Sequence, residues 1–181
     1  DTIMKKIILS LTVFALSVCS FAQQITLEGI YGGKYRENSL FGVNSLNDGE
    51  NYTILTKDGL VKRSYESTLK KGQSADVTLV KGQFEGYEFS ADERYVLLQT
   101  ESNQIYRHSF TAKFEVYDTK TQAKTLLFDG KGIQEPLFSP DASKVAFAFE
   151  NNLYIQDLKT NKVTQVTTDG KKNNIINGIN D

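Results

Sequence analysis

FSPDASKVAF, residues 138–147, is the stretch on which the fold turns, because FSADERYVLL, residues 89–98, repeats its plan. Both begin with Phe-Ser and place Asp fourth, as Asp141 and Asp92. Three loop residues then lead into an apolar triplet, Val145-Ala146-Phe147 in one copy and Val96-Leu97-Leu98 in the other. An Asp so placed can accept hydrogen bonds from backbone N–H groups one or two residues on, and Pro140 presets the turn dihedral just before it. The pattern reads as strand, tight turn, strand. SLNDGENYTIL, residues 45–55, is a weaker third copy with Asp48 in the same place, and the three Asp residues stand 44 and 49 positions apart. A repeat of that period built from short strands points to the blades of a β-propeller, an all-β fold.

The second half of each unit is also visible. FEVYDTKT (114–121) and LYIQDLKT (153–160) alternate apolar and polar residues and then turn at Asp-x-Lys-Thr. Each leads into another strand, Ala123 to Phe128 or Lys162 to Val166, and then into Asp-Gly-Lys, at 129–131 and 169–171. Three landmarks in the same order, twice, argue for true repeats. The units differ at one point. Asp141 and Asp157 are 16 residues apart, whereas Asp92 and Asp118 are 26 apart. The extra residues fall within Gln99–Ala112, QTESNQIYRHSFTA, between the second and third strands. Insertions in repeat folds map to loops on one face, often the binding face.

Composition narrows the classes. The chain has 181 residues, 39% hydrophobic and 24% charged, which is that of an ordinary globular protein. Its formal net charge is −1 with both signs interspersed, so there is no basic stripe for nucleic acid. The N-terminus reads as an export signal. Met4-Lys5-Lys6 is a charged start, Ile7–Val18 an apolar run too short to span a bilayer comfortably, and Ser20-Phe21-Ala22 a small-x-small cleavage site. The mature chain then starts at Gln23, in the periplasm or outside the cell, and residues 1–3 are upstream of the natural start. Lipidation at Cys19 is the alternative, but Val18 is larger than a lipoprotein cleavage site favours. Cys19 is the single cysteine, so the mature protein can hold neither a disulfide nor a thiolate zinc site.

After the signal, Gln24–Tyr35 does not alternate as a strand would. Thr26 can cap a short helix over Leu27–Tyr31 that ends at Gly32-Gly33. Strand candidates follow at Leu40–Ser45, Tyr52–Lys57, Leu60–Tyr65 and Asp76–Val80, separated by Asn47-Asp48-Gly49 and Asp58-Gly59, with Lys70–Gln73 as a loop. The organisation is therefore 1–22 signal, 23–39 an N-terminal segment, and 40–181 a partial β-propeller. Its blades cover about 40–85, 86–132 and 133–170, and 171–181 starts the next. Propellers close at about four to eight blades, so the chain reads as a fragment of something longer. Residues 23–181 alone are expected to be marginally stable or to self-associate, because repeat arrays draw stability from their neighbours.

Chemistry-bearing residues are few. His108 is the one histidine, and no G-x-S-x-G elbow occurs, so a serine triad cannot be assembled by spacing. Without cysteines, and with one His, no metal or cofactor site is expected. Asp48, Asp92 and Asp141 recur with the blades and read as turn residues. Arg107 stands out, inside the inserted segment between Tyr106 and His108. A guanidinium there can clamp a carboxylate or a peptide carbonyl with forked hydrogen bonds, or it can form a surface or blade-to-blade salt bridge.

At these residues a resemblance enters. YRHSFTAKFEVYD (106–118), with NNLYIQDL (151–158) and IINGIND at the end, resembles the dipeptidyl peptidase IV family of the prolyl oligopeptidase superfamily. The likeness runs from Ile25 to Asp181; the Tyr-Arg-His-Ser run is specific to the family, whereas the blade repeats belong to the superfamily. It implies an eight-bladed propeller followed by an α/β-hydrolase domain, and a secreted or membrane-anchored serine exopeptidase that removes N-terminal dipeptides with Pro or Ala second. It implies that Arg107, with Tyr106 and His108 as neighbours, faces the active-site cavity and binds the substrate's backbone carbonyl. A Glu pair that holds the substrate's free amine would follow a few residues beyond Asp181. The stretch Ile25–Gly33 would pack on the missing hydrolase domain. Asn180 stands where many relatives carry Pro or Thr. The partners so implied are a peptide with a free N-terminus, the C-terminal hydrolase domain and a homodimer of the full-length enzyme. This chain alone, without the triad, would be inactive. The rival reading is a non-catalytic periplasmic propeller that binds a protein partner, and the residues after Asp181 separate the two. The export reading is checked by the intact mass of the protein expressed in a bacterial host: the mature N-terminus should be Gln23, and a periplasmic species retaining residues 4–22 would refute it.

Overall fold

The structure is a computed structural model that describes residues 25–36, 42–69 and 76–179. The export signal, Leu40, the Lys70–Gln73 loop and the last two residues lie outside the described residues. The chain divides into two compact units, Asp1–Ser39 and Leu40–Asp181. In the first, helix α1 (Leu27–Tyr31) forms as its cap predicts: the Thr26 side chain accepts from the Gly29 N–H at 3.0 Å, and the Gly32 N–H returns to the Glu28 carbonyl at 2.8 Å.

The second unit is all-β apart from short helical turns. Its strands form three four-stranded antiparallel sheets, each in chain order. The first holds β1 (Asn44–Ser45), β2 (Asn51–Thr56), β3 (Gly59–Ser64) and β4 (Val77–Lys81). The second holds β5 (Gly86–Phe89), β6 (Tyr95–Gln104), β7 (Phe110–Asp118) and β8 (Lys124–Leu126). The third holds β9 (Gln134–Phe138), β10 (Lys144–Phe149), β11 (Asn152–Asp157) and β12 (Val163–Gln165). These are the propeller blades that the repeats predict.

The apolar triplets are the centres of the blades. Side chains along a strand point alternately to opposite faces. Leu97 therefore packs with Phe114, Val116, Val145 and Phe147 between the second and third sheets. Its neighbours Val96 and Leu98 pack with Leu60, Val80 and Tyr117 between the first and second. All three are essentially sealed from solvent. Polar ties reinforce both seams. The Tyr117 hydroxyl donates to the Leu79 carbonyl at 2.9 Å, and the Tyr87 hydroxyl reaches Thr53 Oγ1 at 2.9 Å. On the other seam, the Phe128 N–H donates to Gln156 Oε1 at 2.8 Å.

The repeated turns show why Ser precedes Asp. The Ser139 hydroxyl donates to Asp141 at 2.6 Å and accepts from the Lys144 N–H at 3.0 Å. The Ser90 hydroxyl does the same, at 2.7 Å to Asp92 and 3.0 Å from the Tyr95 N–H. Each Asp also accepts from the N–H two residues on, at Ser143 or Arg94. The residue after the Asp is left-handed in all three copies: Gly49 at φ 69°, Glu93 at 56° and Ala142 at 55°. Asp118 and Asp157 build the second turn of their units by accepting from the N–H groups two and three residues on. The two turns of a unit are joined by backbone bonds, Thr119 N–H to the Arg94 carbonyl at 2.9 Å and Leu158 N–H to the Ser143 carbonyl at 3.0 Å.

Four expectations need correction. The first strand is short, Asn44–Ser45, and residues 42–43 are not part of it. A five-residue helix, α2 (Tyr65–Leu69), follows β3, where the sequence shows no helical period because one turn is too short to display one. The strand read from Ala123 to Phe128 stops at Leu126, because Phe128 (φ 48°) and Asp129 (φ 53°) turn left-handed in a 3-10 segment, Leu127–Gly130. That turn drives the Phe128 ring against Phe147, 4.9 Å away between centroids. The two Asp-Gly-Lys runs are consequently not equivalent, since Asp169 and Gly170 have no left-handed backbone.

Two measurements test this account. Leu97→Ala should cost about 2–5 kcal/mol of stability by leaving a cavity in the core, whereas Leu126→Ala, 52% exposed, should stay within about 0.5 kcal/mol. The hydroxyl of Ser139, then the backbone and hydroxyl of Ser143, hold the Asp141 carboxyl down to about 2 from its ordinary 3.8. A carboxyl depressed in the folded state adds stability that is complete above its unfolded value and vanishes as pH falls through the folded one. Melting temperature should therefore fall as pH drops from about 4 to about 2. Asp141→Asn should lower stability at neutral pH and flatten that decline.

Candidate functional site

The inserted segment lengthens both strands of a hairpin. β6 and β7 run for 10 and 9 residues, against 6 each for β10 and β11. The sequence reading of these residues as loop is thus corrected: only five residues, 105–109, connect the strands. A bulge divides the hairpin, because the register moves from Thr100↔Lys113 to Asn103↔Thr111. Its Glu101 takes a left-handed φ of 45°. Ala112, freed from the ladder by the bulge, instead exchanges backbone bonds with Ile133 at 3.0 and 2.9 Å, which ties the arm to the chain entering the third blade. Glu85 braces the bulge by accepting from the Ser102 N–H and hydroxyl, and Lys113 pairs with Glu101.

The Ser109 carbonyl closes the tip by accepting from the N–H groups of Ile105, at 2.8 Å, and Tyr106, at 3.0 Å. Tyr106, Arg107 and His108 therefore project from a braced turn. All three are exposed, Tyr106 by 71%. Among the described residues Arg107 makes no hydrogen bond and no ion pair. Of its two sequence readings, the salt bridge therefore finds no carboxylate here, and the guanidinium fork is left open.

Next to the tip is a cavity of about 350 Å³. Its walls are Leu97, Phe110, Phe114 and Pro136, and its polar groups are Glu88, Gln99, His108 and Glu135. Sequence reasoning brought only His108 to this place. Glu88 stands directly across from Leu97 in the β5–β6 ladder, on the face that packs toward the third blade. Partial burial of the carboxyl pushes its pKa up, while the residue as a whole stays exposed to water at the mouth. Glu135 has a left-handed φ of 49° and lies in a β9 bulge, where Glu135 and Pro136 together face the single residue Phe147. The signal for Glu88 was present in the strand alternation, as a charge at an inward position of GYEF. Glu135 carried none, because a bulge shifts the alternation.

A groove of about 520 Å³ at the Asp-turn end of the blades holds Asp92, Asp141 and Asp157, each with a carboxylate oxygen engaged by its own turn. No group of three or more potential metal ligands occurs among the described residues.

Residues 90–181 match the family described as the dipeptidyl peptidase IV (DPP IV) N-terminal region. Probable dipeptidyl-aminopeptidase B of Talaromyces marneffei is 32% identical over 90% of this chain and 20% of its own length. Prolyl endopeptidase FAP of Bos taurus is 26% identical over 90% of this chain and 21% of its own. Among solved structures, Porphyromonas gingivalis dipeptidyl peptidase 4 superposes with a TM-score of 0.67 at 30% identity, covering 82% of this chain and 22% of that one. The chain spans about a fifth of the length of these relatives.

Proposed function

The chain belongs to the dipeptidyl peptidase IV N-terminal region family, and on that premise we propose that it is the propeller part of an exported serine exopeptidase removing N-terminal X-Pro and X-Ala dipeptides. Its share of the work is to gate and position the peptide; the hydrolase domain that follows in the family supplies the triad. The observation that carries this reading is Arg107, held on a braced hairpin tip with its guanidinium unpaired among the described residues. An exposed, unpaired fork is costly to hold on an ordinary surface only in entropy, and it is ready to donate two parallel bonds to a carbonyl or carboxylate. Donated to the carbonyl of the substrate's first residue, such a bond contributes about 1.5–3 kcal/mol and fixes the line along which the scissile peptide reaches the serine. The free amine would be held by a Glu pair beyond Asp181.

The test uses the full-length enzyme, this chain together with the reading frame beyond Asp181. Arg107→Ala should lower kcat/KM on a Gly-Pro chromogenic substrate by about ten- to a few-hundred-fold. Arg107→Lys should recover only part of that loss, because a point charge does not reproduce the fork. The melting temperature should hardly move in either variant. Unchanged kinetics would overturn the assignment, and so would a large loss of stability.

A further inference from the structure

We propose that the cavity beside the hairpin tip is a subsite for a cationic side chain, a Lys or Arg at the first position of the peptide; this rests on the function proposed above. The cavity combines apolar walls with two carboxylates. Leu97, Phe110 and Phe114 line a slot suited to an aliphatic stem. Glu88 and Glu135 both line it, and among the described residues neither makes a hydrogen bond or an ion pair. Both glutamates stay exposed at the cavity mouth, where two like carboxylates favour a cationic guest over a neutral or acidic one. Partial desolvation pushes the Glu88 carboxyl pKa up, a modest penalty on its charge. A side-chain ammonium or guanidinium entering the slot would relieve it, while its stem replaces water on the aromatic walls. A neutral polar guest would leave both carboxylates uncompensated, and an acidic guest would meet two like charges.

Position follows from the chain. Arg107 and His108 are consecutive, so their Cα atoms are about 3.8 Å apart, and His108 lines the cavity. If Arg107 holds the carbonyl of the first peptide residue, the side chain of that same residue is the one nearest the slot. Two backbone features fix the carboxylates in place: the Glu88↔Leu97 ladder pair, and the bulge that holds Glu135 left-handed. The site is therefore built on strands and not on a free loop.

The experiment compares Lys-Pro and norleucine-Pro substrates on the full-length enzyme, since norleucine keeps the stem and removes the charge. The kcat/KM ratio of the pair should favour lysine by about ten-fold or more, and should collapse to within about two-fold in the Glu88→Gln, Glu135→Gln double variant. A parallel calorimetric titration with lysine and norleucine amides reads the subsite without catalysis, and only the lysine amide should lose affinity in the double variant. Equal use of both substrates by the wild type overturns the subsite, as does a lysine preference that survives the double substitution. If neither dipeptide is released but the lysine amide still binds in a Glu-dependent way, the peptidase reading fails and the cationic subsite stands.

Discussion

A strand covered on both faces can carry no charge along its buried length, and the buried part of β6, at the centre of the second blade, is under that constraint. Val96, Leu97 and Leu98 project alternately into the two seams of the second blade. Burial of each such side chain contributes about 1.5–3 kcal/mol. The same alternation serves Val145 and Phe147 in the third blade, which face the second. Blades so built are stabilised by their neighbours more than by themselves, and the hydroxyls of Tyr87 and Tyr117 cross the seam to backbone carbonyls of the first blade.

From this constraint follows where chemistry can sit. Polar and charged groups are driven to the ends of the strands. In the turns they serve the architecture: Asp48, Asp92, Asp118, Asp141 and Asp157 each accept from backbone N–H groups, and their carboxyls are all held below the usual range. Burial opposes this at Asp118, but the N–H groups of Lys120 and Thr121 and the guanidinium of Arg94 outweigh it. At the tip of the inserted hairpin and in the cavity beside it, by contrast, some side chains stay uncommitted. Arg107, Glu88 and Glu135 find no partner among the described residues. The carboxylates of the Asp turns are thus engaged, and those of the cavity meet no partner among the described residues.

The bulges are what turn a repeat into a site. At Glu101-Ser102 the extra residue releases Ala112 to bind Ile133, which anchors the long arm to the next blade. At Glu135-Pro136 the extra residue re-aims a carboxylate toward the cavity. Both carry a left-handed non-glycine residue, a conformation that costs about 1–2 kcal/mol and persists because the surrounding ladder over-determines it.

Period-2 alternation and the recurrence of Phe-Ser-x-Asp were enough to place the blades, their turns and the inserted segment, because strand pleat and Asp-turn chemistry are local properties of a few consecutive residues. The capping of α1 by Thr26 was legible for the same reason. Arg107 was singled out by its place in an insertion and by a family likeness. That it meets no carboxylate among the described residues depends on distant parts of the chain, which no local pattern contains. Glu88 and Glu135 stand 47 positions apart, and they come to one cavity because the second and third blades pack against each other. The left-handed turn at Phe128 likewise follows from the aromatic cluster of Phe147, Phe149 and Tyr154 that receives its ring. Long-range packing decides such positions, since the energy that selects them comes from residues remote in the chain.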